Sequence, residues 1–187
     1  MDAIEMLLTR RSVSVKDMTG PAPDAAELDI ILRAATRVPD HGKLAPWRVK
    51  ILRAEGQKKL GELAAARFKA ANPDANEKQL THERERFARA PLCLAVLLTP
   101  VESIKAPLWE QQLSTGAVCT NILHAAHALG YGGKWLTEWV AYDTEILKAL
   151  GGKDGDAIAG FIYLGTKTSV PEERERPNLE QIVSEWG

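Results

Sequence analysis

Apolar residues recur along the chain with two periods, and the switches between them mark out its elements. Ile4, Leu7 and Leu8 share one face of an opening helix that runs to about residue 9, started by an Asp2-x-x-Glu5 capping box. Asp24-x-x-Glu27 starts a second helix, with Leu28, Ile31, Leu32 and Ala35 as its buried stripe. That helix must stop before Pro39, because a residue preceding proline is pushed out of the helical region. Period two follows: Trp47, Val49 and Ile51 alternate with Arg48 and Lys50, the pattern of a half-buried strand. Residues 56–69 read as a helix, 72–78 as a mobile polar loop, and 77–89 as a charged, mostly solvated helical stretch. Residues 92–99 are apolar on both faces and predict a central strand. A long apolar helix over 113–129 stops at Gly130 in a left-handed cap. Residues 135–140 add a short extended piece, Asp143 caps a helix ending at Gly151, and 158–166 form the last strand. The tail, 170–187, is charged and ends in a short helix with Trp186 exposed.

Helices outnumber strands and the two do not alternate strictly, which argues for an α+β fold over a doubly wound α/β sheet. With 187 residues and neither linker nor repeat, the chain reads as one domain, 1–187. Its 24 basic and 25 acidic residues give a net charge of −1, so no global field draws nucleic acid. No apolar run approaches the ~20 residues that span a bilayer, and the acidic N-terminus lacks the basic start of a signal peptide. The expectation is a cytoplasmic protein with no membrane or nucleic-acid partner. Cys93 and Cys119 each lie inside an apolar segment without a Cys-x-x-Cys pattern, and read as buried reduced thiols.

The candidate chemistry lies near the N-terminus. Arg10-Arg11-Ser12 closes the first helix, and Arg37-Val38-Pro39-Asp40-His41 leaves the second. Guanidinium forks chelate phosphate oxygens, a hydroxyl adds a neutral donor, and an imidazole donates or stacks, so the set suits a small phosphorylated cofactor. Taken alone, arginines at a helix C-terminus read equally well as caps on its carbonyls and dipole. Gly132-Gly133-Lys134 and Gly151-Gly152-Lys153 lack the Ser or Thr and the upstream glycine of a phosphate loop. No G-x-G-x-x-G follows a strand, no G-x-S-x-G elbow exists, and His124 and His127 have no carboxylate or thiolate company for a metal. With no evident nucleophile, metal set or proton-transfer dyad, any enzymatic chemistry falls to a cofactor.

At this point the chain resembles the FMN-dependent nitroreductase family, most closely a compact bacterial branch of NAD(P)H nitroreductases. The matching pieces run in order: Arg10-Arg11-Ser12-Val13-Ser14, Arg37-x-Pro39-Asp40-His41, Pro46-Trp47-Arg48, Arg89-Ala90-Pro91, and Trp109-Glu110-Gln111. Gly130-Tyr131-Gly132-Gly133-Lys134-Trp135 and Gly160-Phe161-Ile162-Tyr163-Leu164-Gly165-Thr166 complete the series. The resemblance implies an α+β sandwich with a central, mostly antiparallel sheet flanked by helices. It also implies an intertwined homodimer with FMN at the subunit interface.

By the same resemblance, Arg10, Arg11 and Ser12 match the segment that holds the FMN phosphate and ribityl chain. Arg37 and His41 match positions that also line the flavin. Trp135, Leu136 and Thr137 match the segment whose backbone faces the isoalloxazine ring, with Trp135 either beside the ring or a core aromatic. Ala125, Ala126, His127, Ala128, Leu129 and Gly130 match a stretch assigned to nicotinamide-nucleotide contact. No side chain is implied as catalytic: FMN N5 would carry hydride from NADH or NADPH to a small electrophile such as a nitroaromatic or quinone, in a ping-pong exchange. Backbone N–H groups near N1 or N5 would stabilise charge on the reduced ring. The alternative is a flavin-binding module that stores cofactor or senses redox state without useful turnover. Two departures stand out: Lys43 and Ala45 occupy a loop where the wider family has Ser and Asn, and Leu136 stands where the branch has a basic residue. The wider family also places a basic residue near the C-terminus on the phosphate; Lys167, Arg174 and Arg176 are left unassigned.

Overall fold

The computed structural model describes residues 2–187. Along the chain run α1 (Ala3–Thr9), β1 (Met18–Thr19), α2 (Ala25–Ala35), β2 (Trp47–Leu52), α3 (Ala54–Ala71) and α4 (Glu77–Arg84). They are followed by β3 (Leu92–Leu98), α5 (Leu108–Ala128), β4 (Gly132–Leu136), α6 (Thr144–Ala149), β5 (Ala157–Lys167) and α7 (Leu179–Ile182). The strands form one five-stranded sheet in the order β1-β5-β3-β2, with β4 also paired to β5. Every pairing is antiparallel.

Strand β3 is buried along its whole length, and its period of two serves both sides of the sheet. Leu92, Leu94 and Val96 point to one face, where they meet Leu28, Ile31 and Ala35 of α2 and Val118, Cys119 and Ile122 of α5. Cys93, Ala95 and Leu97 point to the other, against Leu60 and Ala64 of α3 and Ile146 of α6. Three layers result, helices on both faces of an antiparallel sheet. Each leucine fully buried in this way contributes about 2 kcal/mol of hydrophobic stabilisation. Burial raises both thiol pKa values, Cys119 to about 12, so neither cysteine is a thiolate near neutral pH.

Several elements differ from the pattern-based expectation. The long helix starts at Leu108 rather than at 113, because Pro107 supplies its N-cap position. Ile51 is 45% exposed and Leu52 is buried instead, so β2 ends out of phase with its alternation. Residues 72–76 are pinned rather than loose: the Lys69 ammonium donates to the Pro73 and Ala75 carbonyls, and Asn76 with Gln79 forms a full capping box for α4. The stretch after it is not mostly solvated, since Glu83, Arg86 and Phe87 are buried. The piece at 135–140 divides: β4 ends at Leu136 and residues 139–141 form a 3-10 turn. No helix among the described residues is long and apolar enough to cross a membrane.

Candidate functional site

Helix α1 ends where Arg10 turns extended (φ −58°, ψ 128°), and the chain then runs beside β4. The contact is made by Val13, whose N–H donates to the Gly133 carbonyl at 3.1 Å. A Cβ on Gly132 would stand 3.2 Å from the Val13 side chain and 3.0 Å from Lys167, so the bare backbone lets both approach. Residues in an antiparallel strand alternate in the edge to which their N–H and C=O point. Because Gly133 points away from β5, so does Trp135, and among the described residues no other backbone bond reaches that outer edge.

Positive charge collects at this edge. The half-buried Arg10 guanidinium is pushed below its ordinary pKa by burial first, then by Arg176 and Arg11. Arg11 donates to the Glu172 carbonyl and, at 3.3 Å, to the Glu173 carboxylate, which also pairs with Arg176 at 2.6 Å. His124 and His127 on the last turns of α5 are held below the usual imidazole value, by burial first and then by Arg10 and, for His127, Lys167. Glu173 thus answers Arg11 and Arg176, whereas Arg10 is beside those two guanidiniums without a carboxylate of its own among the described residues, and Lys167 lies against Gly132 and near His127. Such a donor set suits a multiply charged anion. Arg176 and Lys167 are functional candidates that the sequence left unassigned; no local signal ties a tail residue to the N-terminus.

The side chains of β4 are engaged inward. Trp135 packs in the α2/α5 layer and its indole N–H donates to the Ala159 carbonyl at 3.0 Å. Ala159 is free to accept because the β3–β5 register slips there: Val96 pairs with Gly160 and Leu97 with Ile158. Of its two possible roles, Trp135 thus takes the core one. Leu136 packs on the opposite face. Just beyond Thr137, Glu138 has φ +54° and ψ −178°, a combination nearly confined to glycine that costs about 1–3 kcal/mol elsewhere. Its carboxylate accepts from Arg89 at 2.5 Å and from Arg86 at 2.9 Å.

Arg37 and His41 lie elsewhere. Arg37 is exposed, and its carbonyl accepts from Asn121. His41 contacts Glu110 through Nδ1 at 2.7 Å, beside a cleft of about 280 Å³ that also touches Pro39, Leu113, Ser114 and Ala117. Its loop holds Gly42, Lys43 and Ala45 at positive φ, pinned by the Asp40 carboxylate, which accepts from the Leu44 and Ala45 amides. Glu110 and His127 stand at opposite ends of α5, about 25 Å apart at 1.5 Å per residue. One chain therefore brings Arg10, Arg11 and Ser12 near β4 and the end of α5 and keeps His41 at the far end of that helix, while Arg37 lies part-way along it beside Asn121. In the expected nicotinamide stretch, Ala126 is buried, Ala125 and His127 are partly covered, and Ala128, Leu129 and Gly130 are exposed. No cluster of three or more His, Cys, Asp or Glu able to hold a metal occurs among the described residues.

Comparison with known proteins places this geometry. A model of the nitroreductase family matches residues 7–166. The chain is 36% identical over 166 residues to YdjA of Escherichia coli (strain K12), a protein provisionally named an NAD(P)H nitroreductase, covering 89% of this chain and 88% of that one. A Haemophilus influenzae protein with the same provisional name is 35% identical over 168 residues, covering 89% of each. Among solved structures, a nitroreductase-like protein from Bacillus cereus superposes with a TM-score of 0.81 at 23% identity, over 98% of this chain and 95% of that one. A Bacteroides fragilis nitroreductase with bound FMN gives 0.70 at 21% identity, over 95% of each. Fold, matched segment and close relatives agree: the chain belongs to the nitroreductase family.

Proposed function

We propose that the protein is an FMN-dependent oxidoreductase that uses NADH or NADPH to reduce a small electrophile such as a nitroaromatic or quinone. The observation that carries this reading is the cation cluster of Arg10, Arg11, Arg176 and Lys167 beside the open edge of β4. A phosphate fits the cations, and a flat heterocycle fits a strand edge whose side chains are turned inward. The FMN in the B. fragilis structure and the nicotinamide donor in the YdjA name support the choice of cofactors. When bound, FMN supplies the hydride chemistry by accepting from NAD(P)H at N5 and passing electrons on.

The chain's own residues bind and orient. Arg10, Arg11 and Ser12 hold the phosphate end by charge-assisted hydrogen bonds. The outward amide of Trp135 and that of Thr137, just past the strand end, line the ring, where oriented dipoles favour added negative charge, while the intervening Leu136 supplies backbone paired to β5. The exposed end of α5 at Ala128, Leu129 and Gly130 offers the approach for the nicotinamide nucleotide. His41 is too far away to join this site within one chain, which supports a homodimer in which it comes from the second copy.

The test is the absorbance spectrum of purified protein before and after anaerobic NADH or NADPH. Flavin bands that bleach support the reading and rank the donors. Bands that persist favour a storage or sensing module, and a protein that stays colourless after incubation with FMN overturns the reading.

A further inference from the structure

We infer that Glu138, gripped by Arg86 and Arg89, is a positioning residue that fixes the backbone of residues 135–137 against the cofactor. Glu138 directly follows those residues, and its left-handed φ turns the chain out of β4 into the 139–141 turn. A glutamate does not adopt that conformation by preference, so something outside the segment must hold it. The Arg89 fork donates to both carboxylate oxygens, at 2.5 and 3.3 Å, and Arg86 adds a bond at 2.9 Å.

The grip is itself anchored. Arg86 also pairs with Glu83 through two bonds of 2.5 and 2.6 Å, and Glu83 accepts from the Trp139 indole at 3.0 Å. Residues on either side of the turn are thus tied to one cluster. Arg89 donates from Nε to the Arg86 carbonyl at 2.7 Å and reaches the Tyr163 hydroxyl at 3.3 Å, and that hydroxyl donates to the same carbonyl at 3.2 Å. Tyr163 lies on β5 opposite Lys134 of β4, so the cluster spans the strand and the turn that ends it. Burial opposes charge on Glu138, yet Arg89 and Arg86 outweigh it and keep its carboxyl below the ordinary value, so the grip is ionic at neutral pH.

Stability alone does not account for such a cluster. Replacing a buried ion pair by packed apolar groups is often neutral or stabilising, so its worth lies in the geometry it enforces. Here that geometry is one peptide turn, and the amides of Trp135 and Thr137 are aimed by it. The assignment rests on the FMN reading above, in which those amides line the ring.

Wild type, Glu138→Gln and Arg89→Lys are loaded with FMN, and the flavin midpoint potential and the melting temperature are measured. Glu138→Gln is expected to weaken the preference for reduced flavin about tenfold, a fall of about 30 mV for a two-electron couple. The exposed-pair control Arg33→Ala leaves the potential in place. A lower melting temperature with an unchanged potential means a merely structural ion pair and overturns the assignment. If Glu138→Gln does not fold, Arg89→Lys, which keeps the Arg86–Glu138 pair, decides by the same potential. A wild type that takes up no FMN overturns the functional reading, and this assignment with it, whereas loaded proteins of equal potential overturn this assignment alone.

Discussion

Arg10 sits half buried with burial and two other guanidiniums acting against its charge, a setting that the anion of the proposed function would relieve. Arg10→Ala should leave folding stability within about 0.5 kcal/mol, because its side chain has no favourable partner among the described residues. It should weaken FMN retention by about ten- to a hundredfold, the worth of one charged hydrogen bond. Lys50→Ala, on the exposed side of β2, should change neither, as equilibrium dialysis would show. The two α5 histidines set a pH window. Their folded-state values lie below 6.5, so the unfolded chain takes up protons first as pH falls. Stability held above pH ~6.5 should then drain away between that value and the lower folded ones, and a His124→Gln/His127→Gln protein should melt with a flatter pH profile. At this scale the sequence showed the residue types, and the resemblance gave roles to Arg10, Arg11 and Ser12. Lys167, Arg174 and Arg176 could be named as candidates but not told apart, because only the folded tail and β5 carry Arg176 and Lys167 to the N-terminal segment.

Elements whose identity rests on local chemistry were legible. Both halves of the Asp24–Glu27 capping box form, α2 ends at Ala35 ahead of Pro39, and β3 carries the two-faced apolar run expected of a central strand. What escaped was set by partners distant in sequence. The end of β4 depends on Glu138 meeting Arg86 and Arg89, and the burial of Glu83 and Arg86 depends on their pairing, since unpaired charges would stay in water. The slip between β3 and β5 is a third case, for it creates the acceptor at Ala159 that the Trp135 indole uses. Beside it, a Cβ on Gly160 would fall 2.0 Å from the indole nitrogen. Gly160→Ala should therefore evict the ring and cost about 3 kcal/mol by overpacking, with a red-shifted tryptophan emission and weaker FMN retention.

For the whole molecule, the length of α5 is decisive. It separates the His41–Glu110 contact from the Arg10 cluster, and it carries exposed Leu108, Trp109 and Leu113 while α1 leaves Ile4, Leu7 and Leu8 in solvent. A second copy would cover such surfaces, so light scattering should give twice the monomer mass, and a monomer retaining full FMN would count against the interface site. The tail adds a last consequence. Glu173 reaches Arg11 across 162 positions of sequence and engages Arg176 as well. The cation cluster thus wears its own removable counter-charge, and under the proposed function cofactor uptake becomes an exchange of one acid for another. Affinity should then respond to ionic strength as though fewer cations were engaged than the phosphate finally touches, and the tail should come loose as the pocket fills.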